Sequence, residues 1–176
     1  NQLTDAPDAN IFLYRNYYNG GGVAIGDINN DGLNDIYLTS NQGDNKLYIN
    51  KGSWQFEDVT EKAGVKGSRY WSTGVTMVDV NADGWLDIYV CNSGDVNGNG
   101  GGNELFINQK NGTFTESAAA FGLTDNGLST HAAFFDYDLD GDLDCFVLNN
   151  SFRNIESFDL KKNLRNNKDS LGGDRL

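Results

Sequence analysis

The chain has 176 residues, 38% of them hydrophobic, enough for one ordinary domain with a real core. Its formal net charge is −12, from 25 acidic against 13 basic residues, which argues against nucleic acid, a partner that calls for a basic patch. No apolar run reaches transmembrane length, and the opening "NQLTDAPDAN" is no signal peptide, although a mature exported chain would look the same.

There are 22 glycines and one proline, with many Asn and Asp, a composition suited to short strands and tight turns rather than a helical bundle. In chain order, 1–21 is expected to be a lead-in strand. A unit of four short strands follows: 22–26, 35–40, 46–50 and a fourth around 55–59. "DINNDGLNDIY" (27–37) forms the turn of the first hairpin, bent at Gly32, and "EKAGV" (61–65) adds a helical turn.

The same unit then recurs. "DVNADGWLDIY" occupies 79–89 and "DYDLDGDLDCF" 136–146, so the loops start 52 and then 57 residues apart. "NKLYINKGSWQFEDVTEKAGV" (45–65) aligns without a gap to "NELFINQKNGTFTESAAAFGL" (103–123). This spacing lies near the period of propeller blades and other arrays, about 40–50 residues. The units are 22–66, 67–124 and 125–176, the last with an insertion at 151–171 between its second and third strands. Within the insertion, "IESFDLKKNL" reads as a short amphipathic helix or a disordered loop. The tail "GGDRL" resembles "GDNKL" and "GGNEL", so a third strand begins there and the chain reads as part of a longer protein.

Strands one and two of each unit are continuous apolar runs, as expected when both sheet faces are covered. Blades of a propeller cover each other in that way. The expected fold is therefore all-β, with β-propeller blades of four antiparallel strands. Three such units make an incomplete ring, since closure takes four to eight blades. Cys91 and Cys145 fall on strands of opposite side-chain parity, which favours free buried thiols over a disulfide.

The acidic loops carry the chemistry. At about 4 Å and an effective dielectric near 20, each pair of carboxylates costs roughly 4 kcal/mol, so a cation or full solvation must offset the crowding. Positions 1, 3, 5 and 9 of the first loop are Asp27, Asn29, Asp31 and Asp35, and position 7 offers the Leu33 carbonyl. The second loop offers Asp79, Asn81, Asp83 and Asp87 with the Trp85 carbonyl; the third offers Asp136, Asp138, Asp140 and Asp144 with the carbonyl of Asp142. Ca²⁺ takes six to eight such oxygens at about 2.3–2.6 Å, and alternate positions on a tight loop converge on one point. Mg²⁺ prefers fewer protein ligands. An EF-hand is excluded, because its twelfth position needs Glu, and here Leu38, Val90 and Val147 stand in strands. Asp, Asn and Gly are also good turn formers, but three loops in register favour the metal, about three calcium ions in all.

These motifs, together with "YNGGGVAIGDINNDGLNDIY", "FEDVTEKAGV" and "THAAFFDYDLDGDLD", resemble the FG-GAP/VCBS repeats of integrin α-subunit propellers and many secreted bacterial proteins. They are most similar to the cartilage-acidic-protein-like branch, often associated with ASPIC/UnbV domains. The resemblance covers about 11–150. It implies a seven-bladed propeller with calcium in the loop between the first two strands of a blade, and an exported, extracellular, cell-surface or periplasmic setting.

The function expected is a non-catalytic, calcium-stabilised binding or protein-interaction scaffold, because closed oxygen cages leave no open position for a substrate. Partners would be a glycan or another extracellular protein, besides the remaining blades of the same chain. Recognition would fall to the opposite rim: 40–45, 68–73, 92–103 and 151–171. Tyr70 and Trp71 are candidates to stack on a glycan, against the alternative that Trp71 packs at a blade junction. The competing function is a propeller-type polysaccharide lyase or other carbohydrate-active enzyme. The single histidine, His131, is equivalent to Gly22 and Gly74 near the central channel; it could serve a lyase as base, or line the channel structurally.

Overall fold

A computed structural model describes residues 3–7, 9–13, 17–94, 101–150 and 172–176. The glycine-rich stretch 95–100 and the insertion 151–171, both expected to contribute to the recognition rim, lie outside the described residues. The first four-stranded sheet is formed by β1 (Val23–Gly26), β2 (Asp35–Leu38), β3 (Lys46–Asn50) and β4 (Phe56–Asp58), antiparallel and in chain order. After the single turn of α1 (Thr60–Ala63), β5 (Ser72–Val78), β6 (Asp87–Asn92), β7 (Glu104–Asn108) and β8 (Phe114–Glu116) repeat that order. The hairpin of β9 (Leu128–Phe135) and β10 (Asp144–Asn150) forms the third sheet.

The register repeats with the sequence. Leu38 faces Lys46 and Val90 faces Glu104; Val147 likewise bridges Arg175, with paired N–H to carbonyl bonds of 2.8 and 3.0 Å. "GGDRL" thus enters the third-strand position beside β10. Asn45, Asn103 and Asp174 play one part in the three units, their side-chain oxygens accepting from the N–H of Ser40, Asn92 and Asn149.

The lead-in differs from expectation. Its described residues form turns and one isolated bridge, Ala6 to Ala9, rather than a strand. Pro7 lies within that turn, and ladder pairing gives way to Asn10, whose side chain bonds the local backbone.

The first strands of successive sheets pack together, β5 lying between β1 and β9. Gly22 donates its N–H to the Thr73 carbonyl (2.8 Å), and the hydroxyls of Thr73 and Thr76 donate to the carbonyls of Ser129 and Ala132 (both 2.8 Å). Glycine is required at 74, where a Cβ would sit 2.6 Å from His131 Nδ1 and 2.9 Å from His131 Cα.

Two apolar cores fill the two junctions, and they are built alike. Between the first and second sheets, Ala24, Tyr37, Leu47 and Ile49 meet Val75, Ile88, Val90 and Phe106. Between the second and third, Tyr89, Cys91, Leu105 and Ala118 meet Ala132 and Val147, flanked by Phe134 and Cys145. With a sheet on either side, β6 therefore buries side chains on both faces, which is why it reads as an unbroken apolar run. The thiols of Cys91 and Cys145 are free, and burial pushes both up, that of Cys145 to about 11. On the first sheet, the counterparts of Val75, Met77 and Val90 are Val23, Ile25 and Leu38. They face outward, 57%, 62% and 40% exposed.

Candidate metal centres

Each acidic loop connects the first two strands of its sheet, and its ninth residue opens the second strand: Asp35, Asp87 and Asp144. The three loops share one hydrogen-bond scheme. Position 1 (Asp27, Asp79, Asp136) accepts the N–H of position 5 on Oδ1 at 3.0, 3.0 and 3.2 Å, and the glycine N–H on Oδ2 at 2.7, 2.8 and 3.2 Å. Position 3 (Asn29, Asn81, Asp138) turns its Oδ1 to the same position-5 N–H. Position 5 (Asp31, Asp83, Asp140) accepts from the N–H of Leu33, Trp85 and Asp142.

Backbone conformation makes this convergence possible. Residues at position 4 (Asn30, Ala82, Leu139) and the glycines Gly32, Gly84 and Gly141 all have positive φ, curling the loop so that alternate side chains turn inward. Asn30 suits the left-handed region; Ala82 and Leu139 adopt it at a cost.

The ninth residue is held most firmly. Asp35 is fully buried, with Oδ2 accepting from Ile28 N–H (3.0 Å) and Oδ1 from Asn50 N–H (2.8 Å). Asp87 is also fully buried and accepts from Val80 N–H (3.2 Å) and Asn108 N–H (2.8 Å). Burial raises both carboxyls above the usual carboxylate range; the two N–H donors pull the other way, and the neighbouring loop aspartates raise them further. In the third loop, Asp144 is half-buried and takes the Tyr137 N–H at 2.7 Å. There the Asp142 N–H holds Asp140 low, while a side-chain hydrogen bond to Asp140 raises Asp142.

The donor set fits a hard divalent cation. Asp136, Asp138 and Asp144 each offer a carboxylate oxygen, all within 4.8 Å of one another. Oxygens on opposite sides of a calcium ion bonded at about 2.4 Å stand about 4.8 Å apart, so the cluster has the right size. The first two loops present the same positions with Asn in place of the third-position Asp. In the second loop, Lys110 Nζ stands 3.3 Å from Asp83 Oδ2 as an exposed ion pair, a contact of small energetic weight.

Two residues that the sequence did not single out complete the sites. Asn50 and Asn108 close "LYIN" and "LFIN" and latch the ninth-position carboxylates from the third strand. Their recurrence in register was the available signal. The Asn108 carboxamide also donates to the Leu86 carbonyl (3.1 Å) and to the Ile28 carbonyl of the first loop (2.8 Å).

The rim candidates lie apart from these loops. Trp71 is only 3% exposed, its ring centroid 4.8 Å from that of Tyr17 and 5.8 Å from that of Tyr70. Tyr70 is 40% exposed. His131 is exposed on β9, against Gly74. Outside the loops, buried Glu104 is taken up by Ser68 and Asn92.

Among the described residues, no helix is long and apolar enough to cross a membrane. Cartilage acidic protein 1 of Xenopus tropicalis is 39% identical over 74 residues, 42% of this chain and 11% of its own length. The protein of the same name in Homo sapiens is 36% identical over 72 residues, again 11% of its length. The chain thus matches about a ninth of these relatives. The family model for the FG-GAP-like repeat matches residues 27–90 and 93–147, more than half of the chain and all three acidic loops, and the chain belongs to that family.

Proposed function

We propose that this chain is a calcium-stapled module of a larger exported protein, serving as an extracellular binding or protein-interaction scaffold in which the metal is structural. The observation that carries this reading is the recurrence of one oxygen-donor scheme in three loops, with three carboxylates of the third drawn within 4.8 Å. Each ion would sit at positions 1, 3, 5 and 9 with the position-7 carbonyl, and would stabilise the hairpin it closes. The relatives named for cartilage, and the millimolar calcium usual outside cells, support the extracellular setting.

Further blades of the same chain would pack on both sides of this segment. Val23, Ile25 and Leu38 on one end face, and Leu148 on the other, stand exposed where the two internal junctions bury or partly bury their counterparts Val75, Met77, Val90 and Cys91. The buried Trp71 leaves Tyr70 as the exposed ring of the 68–73 loop, which favours a protein partner over a glycan stacked on two aromatics.

The test is thermal melting in calcium, magnesium and EDTA, with metal content read by mass spectrometry. Roughly one calcium per loop is expected, with a melt that falls in EDTA and is not restored by magnesium. No bound metal and no shift would return the aspartates to the role of solvated turn residues.

A further inference from the structure

The first two acidic loops are joined by a continuous buried hydrogen-bond chain. Asp35 Oδ2 accepts from Ile28 N–H, the carbonyl of Ile28 accepts from Asn108 Nδ2 (2.8 Å), and Asn108 N–H donates to Asp87 Oδ1 (2.8 Å). Asp35 and Asp87 are fully buried, and Ile28 and Asn108 are 3% and 4% exposed. A second link crosses at the surface, where Asn30 Nδ2 donates to the Gly84 carbonyl (3.0 Å). Asn50, the counterpart of Asn108, instead turns its carboxamide to Asn34 of its own loop (3.0 Å). Among the described residues, no such strap joins the second loop to the third.

We propose that Asn108 is a positioning residue that couples the first two loops, so that filling one with calcium strengthens binding at the other. This rests on the calcium reading above. The ninth-position carboxylates are the groups that the strap holds. An ion in the first loop immobilises Asp35 and, with it, the N–H of Ile28, fixing the backbone on both sides of that residue. The Ile28 carbonyl, in the next peptide, then orients the Asn108 carboxamide, and the Asn108 backbone N–H holds Asp87. The second ion then meets a loop whose ordering cost has been met in part, which gives positive cooperativity without a large structural change. Both ends of the strap are dry, so competition from water does not loosen it.

A calcium titration cycle by calorimetry, on the full chain at about 0.15 M salt to screen the long-range field, tests this. Asp140→Ala is placed in every protein to silence the third loop. The product of the two affinities, with the first and second loops intact, is compared with the product measured one loop at a time, using Asp31→Ala and Asp83→Ala. An excess of about five-fold or more is expected, the lower end of ordinary coupling. In Asn108→Leu, which keeps the backbone N–H and nearly the volume, the excess disappears; in Asn50→Leu it remains. Should the leucine protein fail to fold, Asn108→Ala carries the same comparison. No excess with Asn108 present, an excess that survives its replacement, or one lost equally in Asn50→Leu, overturns the coupling while leaving calcium binding intact. No calcium uptake by any loop overturns the functional reading, and the coupling with it.

Discussion

Ile36 and Ile88 occupy the same place in the repeat, yet only Ile88 has a neighbouring sheet against it. It is fully buried in the core that includes Ala24, Tyr37, Leu47 and Ile49. Ile36 lies on the outer face of the first sheet, paired with Ile25, which is 62% exposed. Cutting Ile88 to alanine removes three carbons from contact, about 2.4 kcal/mol of transfer free energy at about 0.8 kcal/mol each. The cavity left in a packed junction adds to this, bringing the loss to about 3–4 kcal/mol. At Ile36 the side chain is half-covered and solvent fills the gap, so the cost is about 1 kcal/mol. Equilibrium urea unfolding of the two alanine variants should separate them by about 2–3 kcal/mol, or about 5–10 °C in Tm for a domain of this size. Equal losses would refute the junction as described, since they would mean that both faces are equally covered or equally free.

Asp31→Ala should leave stability in EDTA nearly unchanged, because the carboxylate is exposed and its removal relieves repulsion from Asp27 and Asp35. In calcium at about 100 times the dissociation constant, the same change should forfeit about 2.7 kcal/mol. A loss of equal size in both conditions, read by thermal melting, would remove the metal from the explanation. Gly74→Ala should destabilise by about 1–3 kcal/mol in denaturant unfolding, because its Cβ would press on His131 backbone and ring rather than on a yielding side-chain end. A neutral outcome there would show that β5 and β9 are further apart than described. The Thr60 hydroxyl and N–H, then Lys46 at 3.2 Å, hold the Asp58 carboxyl below its usual range. A depressed carboxylate contributes stability above its unfolded pKa, about 3.9, and loses it as pH falls through the lower folded value. Asp58→Asn should therefore lower Tm at neutral pH and converge with the parent as the pH is taken well below about 3.9. A constant gap across that range would assign the effect to packing.

Local repetition made much of this protein legible from its residues. β3 falls at 46–50 as expected, and the gapless match of 45–65 to 103–123 carries β7 and β8 with it. The acidic loops were legible because an oxygen at every second position, with glycine at the sixth, is a local pattern that folds locally. The described residues of the lead-in form turns where a strand is expected, since nothing in their composition says that Asn10 closes its backbone bonds within the segment.

The rest depended on neighbours that sequence distance hides. Asn108 reads as one polar residue at a strand end, and its contact with Ile28 spans 80 positions. Trp71 could have faced a ligand or the interior until Tyr17 of the lead-in was found stacked against it. Val23 and Val75 are the same residue at the same place in the repeat, yet one is 57% exposed and the other 3%. The sequence by itself determined what the first two units are, four short strands with an acidic hairpin loop and an apolar ladder, and that the third opens in the same way. Only the tertiary structure decided which faces are covered and which loops are strapped together, because burial and hydrogen-bond partnership belong to pairs of units, and no single unit contains them.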